Sequence, residues 1–296
     1  MVRRSYTKLT CWLVGGLCLL ACLVVQAADE AAATKSVLAT KGLSSFWSFQ
    51  EESGSSRKAV GAYPVELLEG KPGVGRAEDG LFGPYSLKLK SGEWLRIPRD
   101  KLGPLNIHGP KAQVTVIAWV KREGKNFWQS IAGVWDETHS ARQYMLFLNA
   151  RTRTDASIMQ RVPTQDRIHG HISALGGPSP EEKFWVSYAS SGSTVSMEGW
   201  HMIALTYDAE FIRMYLDGKL DAAENFNPFP YKDGIFDGGA KGAEFTVGAN
   251  HVAGIPNNNR FSGLMAGLAV FDRVLSDEEM AQLAERTLPP RTVKPQ

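Results

Sequence analysis

Beyond residue 22 the sequence has no cysteine; the three in the chain are Cys11, Cys18 and Cys22. The body of the protein therefore has no disulfide, no thiol nucleophile and no thiolate metal ligand, and its stability must come from its core. A G-x-S-x-G turn is also missing, and with it the signature of a serine nucleophile elbow. No run of the E-x-D-x-E kind occurs, so no strand places a retaining pair of carboxylates on one face. There is no clustered basic stripe of the kind that binds nucleic acid, and no internal repeat.

The long apolar run is Leu9 to Val25. Arg3, Arg4 and Lys8 precede it, and Val25-Gln26-Ala27 offers small residues where a signal peptidase cuts, so residues 1–27 are expected to be a cleaved export signal. Leu19-Leu20-Ala21-Cys22 resembles a lipoprotein box, but apolar Leu23-Val24-Val25 follows it; Arg3-Arg4 is a partial twin-arginine pattern. All three readings imply export to the periplasm, the cell surface or the medium. Removing Arg3, Arg4 and Lys8 leaves 30 basic against 31 acidic residues, so the mature chain is close to neutral. No nucleic-acid partner and no membrane span are expected for it.

With 43% apolar and 22% charged residues the chain has the composition of a folded globular protein. Residues 28–41 are small and polar without a period, and are expected to be a flexible tether. A single domain over 42–288 and a short tail over 289–296 follow. From Gly42 onward short runs rich in aromatic and β-branched residues alternate with Gly, Pro and Asn clusters, which predicts an all-β antiparallel sandwich. Run 113–121 is apolar on both faces, with Val114, Val116 and Val120 opposing Ile117 and Trp119, and belongs at the centre of packed layers. Run 211–216 alternates as a half-exposed strand does, and Asp217-Gly218 after it suits a tight primed turn. One helix is expected, over 276–286. Ser276 and Glu279 form a capping box and Leu275 and Met280 a hydrophobic staple, while Asp277, Glu278 and Glu279 suit the positive end of the helix dipole.

Several phrases in order resemble the laminin-G-like branch of the concanavalin A-like jelly-roll superfamily. They are GLSSFWSFQEESGS (42–55), SLKLKSGEWLRIP (86–98), VTVIAWVKR (114–122), WHMIALTYDAEFIRMYLDGKL (200–220) and FSGLMAGLAVFDRVLSDEEM (261–280). The resemblance implies a jelly-roll sandwich closed by the short helix. It also implies acidic residues where this chain has Gln50, Ser91 and Ala266, carboxylates that commonly support a calcium ion. Calcium is therefore doubtful here, although main-chain carbonyls with Asp136, Asp237 or Asp272 could still hold one. No cofactor is otherwise indicated.

A sugar ring offers an apolar face that stacks on an aromatic, and hydroxyls that need amides, carboxylates or imidazoles. Trp128, Trp135, Trp185, Tyr188 and Tyr231 lie near turns or on mixed faces and are candidates for such contacts, with Asn258 as an amide partner. The competing role for each is packing. The long segments 225–238 and 254–260 resemble specificity loops on a rigid frame. In Arg167-Ile168-His169-Gly170-His171-Ile172, a strand would put both histidines on one face and both isoleucines on the other. Half a metal site is one reading; a polar groove face above an apolar underside is preferred. Gly170 between them marks a bulge or a close backbone approach. Asp136-Glu137 and Glu181-Glu182 are expected to be solvated loop charges.

The expected function is carbohydrate binding by an exported, lectin-like domain without catalysis. An envelope or matrix interaction module is the alternative, and a glycoside hydrolase or lyase a third reading. N-terminal sequencing of protein recovered from the envelope or medium should begin close to Ala28; a retained Met1 or a lipid on Cys22 would overturn the cleavage.

Overall fold

The computed structural model describes residues 29–150, 165–178, 188–252 and 255–290. The expected leader lies outside the described residues, as does the tail beyond 290. Two sheets form a sandwich, one of nine strands and one of ten. Among the described residues every strand pairing is antiparallel except one short parallel contact, His251 beside Asp136. The antiparallel sandwich expected from the turn-punctuated runs is the architecture observed.

The nine-stranded sheet is organised about Val114–Arg122, which pairs with His201–Tyr207 on one side and Gly263–Phe271 on the other. Val114, Val116, Ala118 and Val120 point into the space between the sheets and are fully buried there. Ile117 and Trp119 point the other way and are just as buried. What covers them is a helical layer. The C-terminal helix Asp277–Thr287 contributes Met280 and Leu283, and a second helix over 29–39 contributes Ala33 and Val37. Burial of each large apolar side chain stabilises by about 1.5–3 kcal/mol. Phe82 lies edge-on to Phe46 and Trp119 at 5.0 and 4.9 Å, and Trp119 Nε1 donates to Thr287 Oγ1 at 2.7 Å.

The helix over 29–39 corrects the expected flexible tether. Its sequence is rich in Ala, a strong helix former, and Ala33 and Val37, one turn apart, dock on the same apolar face as the C-terminal helix. Strand Phe211–Leu216 also departs from expectation. Ile212 and Met214 face the core as the alternation requires, but Tyr215 on the opposite face is buried as well, its hydroxyl donating to Asp277 Oδ1 at 2.7 Å. The turn after it is of the primed kind, with φ of 50° at Asp217 and 80° at Gly218.

The C-terminal helix begins as its sequence prescribes. Ser276 accepts from the Glu279 amide, and the Glu279 carboxylate accepts from the Ser276 amide at 2.9 Å. Arg273 clamps the same carboxylate, which leaves Glu279 ionised below the ordinary glutamate range. Ser276→Ala should lower stability by about 1 kcal/mol through loss of the cap, measured as a fall in denaturation midpoint at constant slope.

Candidate functional site

The outer face of the ten-stranded sheet is set by the register of three strands, Trp128–Asp136, Ala141–Ala150 and Gln165–Ile172. Their inward residues include Val134, Tyr144, Leu146, Leu148, Ile168 and Ile172, all fully buried in the main core. The outward residues meet in rows: Trp128 beside Asn149 and Arg167, Ser130 beside Phe147 and His169, Gly133 beside Met145 and His171. A bulge then brings Arg142 opposite Trp135, on the outer face. The two histidines share one face and the two isoleucines the other, as alternation predicts. Gly170 marks a close approach: a Cβ there would lie 2.3 Å from Met214 Cε and 2.5 Å from Leu205 Cδ1 of the facing sheet.

The tryptophan rings pack edge to face on their neighbours, and Phe147 lies tilted against His171. Trp128 lies 5.0 Å from His169 and 5.3 Å from His171, and Phe147 lies 4.7 Å from His171. Trp135 lies 5.5 Å from His171, and the Arg142 guanidinium sits 5.8 Å from the Trp135 ring. Trp128, Arg142 and Arg167 are half-buried, while Trp135, Phe147, His169 and His171 are buried. Burial, with His169 and Arg142 nearby, holds His171 well below the usual histidine range and keeps it neutral. A neutral imidazole offers one donor and one acceptor. The face thus combines ring edges with amide, hydroxyl and imidazole groups.

At the end of this face two adjacent carboxylates diverge into separate networks. Glu137 Oε1 accepts from Trp135 Nε1 at 3.2 Å, Asn250 Nδ2 at 3.1 Å and Asn259 Nδ2 at 3.5 Å. Asp136 accepts from the amides of Thr138 and His139 and lies 2.8 Å from His139 Nδ1. His251 stands 4.0 Å from Asp136 and 3.4 Å from Glu244, which in turn pairs with Arg96 at 2.5 Å. Asp136 and Glu137 are therefore bonded structural acids and not the solvated charges expected; Glu181-Glu182 lies outside the described residues.

Trp128, Trp135, His169 and His171 are brought together. Tyr231 is not. It lies in the main core between the sheets, its ring 5.9 Å from Tyr207 and its hydroxyl accepting from the Ala174 amide at 2.8 Å, and burial pushes it up to about 12. It cannot serve as a sugar platform. Trp185 lies outside the described residues. Tyr188 pairs with His171, and Asn258 with Asn250, but their side chains lie outside what is described. Phe226 packs against the Trp135 cluster, and Phe229 and Phe236 against the main core, so these rings of loop 225–238 pin it down. The expected loop 254–260 includes the strand Ile255–Asn258, hairpinned to Asn250–Val252.

The calcium candidates do not converge. Asp136 is committed to His139, Asp237 is exposed beside His108, and Asp272 is exposed next to Gly42. Among the described residues no three His, Cys, Asp or Glu side chains are placed to hold a metal. At the positions where the resemblance implies acids, the Gln50 amide is used up by Ser48 and Tyr85, Ser91 is exposed, and Ala266 is buried with no side-chain oxygen to offer. These residues do not fit a calcium ion.

Residues 101–281 match the family described as the concanavalin A-like lectin/glucanases superfamily. The chain belongs to that superfamily. No protein of curated function matches its sequence. Among solved structures, domain 4 of AbnA, a GH43 extracellular arabinanase from Geobacillus stearothermophilus, superposes with a TM-score of 0.53 at 16% identity, covering 82% of this chain and 98% of that domain. Trypanosoma rangeli sialidase superposes with a TM-score of 0.52 at 17% identity, covering 92% of this chain and 39% of the sialidase. This superfamily member thus spans about two-fifths of that enzyme's length. These likenesses correct the expectation that the chain is not an enzyme. Sandwiches of this fold form parts of an arabinanase and a sialidase, so the fold is shared with enzymes, and a missing carboxylate pattern does not bar catalysis.

The acid at the edge of the site gives a test of its electrostatics. Burial raises Glu244, but hydrogen bonds from His251 and Arg96 outweigh it and leave the carboxyl below the usual glutamate range. A carboxylate lowered on folding stabilises above its unfolded value of about 4.3 and loses that contribution as pH falls through the folded value. Glu244→Gln should therefore flatten the acid limb of the melting temperature against pH below about pH 5 and leave the limb above pH 7 in place.

Proposed function

We propose that this domain is exported and binds carbohydrate on the outer face of the ten-stranded sheet. The observation that carries the reading is half-buried Trp128, held at the open end of a row with the buried rings Phe147, His169 and His171, whose ring contacts run from 4.7 to 6.2 Å, with Asn149 beside it in register. Rings supply the apolar contact a pyranose or furanose face needs, and the amide, hydroxyl and imidazole groups match its hydroxyls. Membership of a lectin/glucanase superfamily supports the same ligand class. So does the arabinanase domain of like fold, which is in complex with arabinotriose. The leader's basic, apolar and small-residue order supports export.

A glycan array probed with the mature chain, residues 28–296, tests the reading. Binding to at least one saccharide class is expected. Half-buried Trp128 is the ring to truncate. Trp128→Ala should weaken binding about tenfold, the roughly 1.4 kcal/mol scale of one lost ring contact, while the melting temperature stays close to wild type. No binding anywhere on the array overturns the reading, and undiminished binding by a folded Trp128→Ala removes the site from this face.

A further inference from the structure

Arg142 and Arg167 stand at opposite ends of the outward row. The strand between their register positions, Asn149 back to Arg142, spans roughly 23 Å at about 3.3 Å per residue. Both guanidinium groups are half-buried, and in each the Nε and Nη1 atoms are buried without a hydrogen-bond partner. Arg122 on the other sheet shows the contrast: its Nε is also without a partner, but both its Nη groups are engaged, one by Asp166 and one by the Val195 carbonyl. A guanidinium taken out of water without a paired charge is costly, because it cannot shed its proton to escape. Glu137 and Asp136 lie close enough to be felt by Arg142, yet desolvation prevails and its pKa falls. Their oxygens are engaged elsewhere, with Trp135, Asn250 and His139. His171 beside them is neutral and adds no negative charge.

We infer that this face takes an anionic saccharide, its carboxylate or sulfate groups completing the unpartnered Nε and Nη1 donors of Arg142 and Arg167. The Nε–H and Nη1–H groups of a guanidinium lie on different edges of its plane, so each unpartnered donor takes its own oxygen of a carboxylate or sulfate in a charge-assisted hydrogen bond. Half-buried Trp128, in the same register row as Arg167, offers the sugar its apolar face, and the arginines read the charges at either end. The inference rests on the carbohydrate reading above and narrows it to one ligand class.

The experiment uses matched polymers that differ in charge: dextran against dextran sulfate, and polygalacturonate against its methyl ester. The wild-type mature chain should bind one charged member at least tenfold more tightly than its neutral partner, and the pair that shows the difference tells sulfate from carboxylate. Arg142→Gln combined with Arg167→Gln should erase the difference and leave neutral binding in place. A second readout does not depend on binding. If the arginines lack partners without ligand, Arg142→Gln alone should melt at or above the wild-type temperature, whereas a purely structural arginine would lower it on replacement. Equal affinity for charged and neutral members sinks the inference and leaves the carbohydrate reading standing. A lower melting temperature for Arg142→Gln, or parallel loss of neutral and charged binding in the double variant, also sinks it. Failure to bind any of the four polymers or any arrayed glycan removes both.

Discussion

One strand cannot show either face to water. Val114–Arg122 carries valines on one side and Ile117 and Trp119 on the other, all fully buried. A two-layer sandwich would satisfy the first side only. The second requires a further layer, and the chain builds it from both ends of the folded unit, with Val37 from one helix and Met280 and Leu283 from the other meeting over Trp119's face of the sheet. The hydrogen bond from Trp119 to Thr287 ties the deepest ring of that sheet to the last turn of the last helix. The terminal helices are therefore the outer wall of a core, and the opposite sheet keeps the face on which the rings and arginines collect.

Much of this frame was legible in the residues. The two-sided apolar run, the capping box at Ser276, the primed turn at Asp217-Gly218 and the close approach at Gly170 each follow from local chemistry that the surroundings respect. The helix over 29–39 was not legible, because its docking rests on Ala33 and Val37 alone, while Leu38 faces solvent and the remaining positions are polar or small. Tyr231 was misplaced for a related reason. A tyrosine in a turn-rich segment looks solvent-facing until the fold supplies the Ala174 amide for its hydroxyl.

The site was half legible. Trp128, Trp135, His169 and His171 follow from strand alternation, and the structure gathers them. Arg142 could not be found that way. It has the same parity along its strand as the core residues Tyr144, Leu146 and Leu148, and only the irregular register beside Trp135 turns it outward. Such bulges depend on pairing partners far away in sequence, so a period of two is blind to them. Asp136 and Glu137 show the same limit: two neighbouring acids look like solvated charges until the partners that engage them, Asn250, Asn259 and His251, arrive from the far end of the chain.

The shared wall has an architectural consequence. The first helix and the segment after the last one line a common apolar hollow, with Ala32, Ala33 and Leu81 near Leu288, Pro289 and Pro290. The chain thus enters and leaves the sandwich side by side, on the surface remote from Trp128 and Arg142. Any carrier joined at residue 29 or at residue 290, be it an anchor, a linker or another domain, would dock behind the molecule and leave the ring-and-arginine face pointing outward. Orientation toward a surface-bound polymer would then be a property of the backbone path itself, and the unit could be placed at either end of a larger protein without turning its site inward.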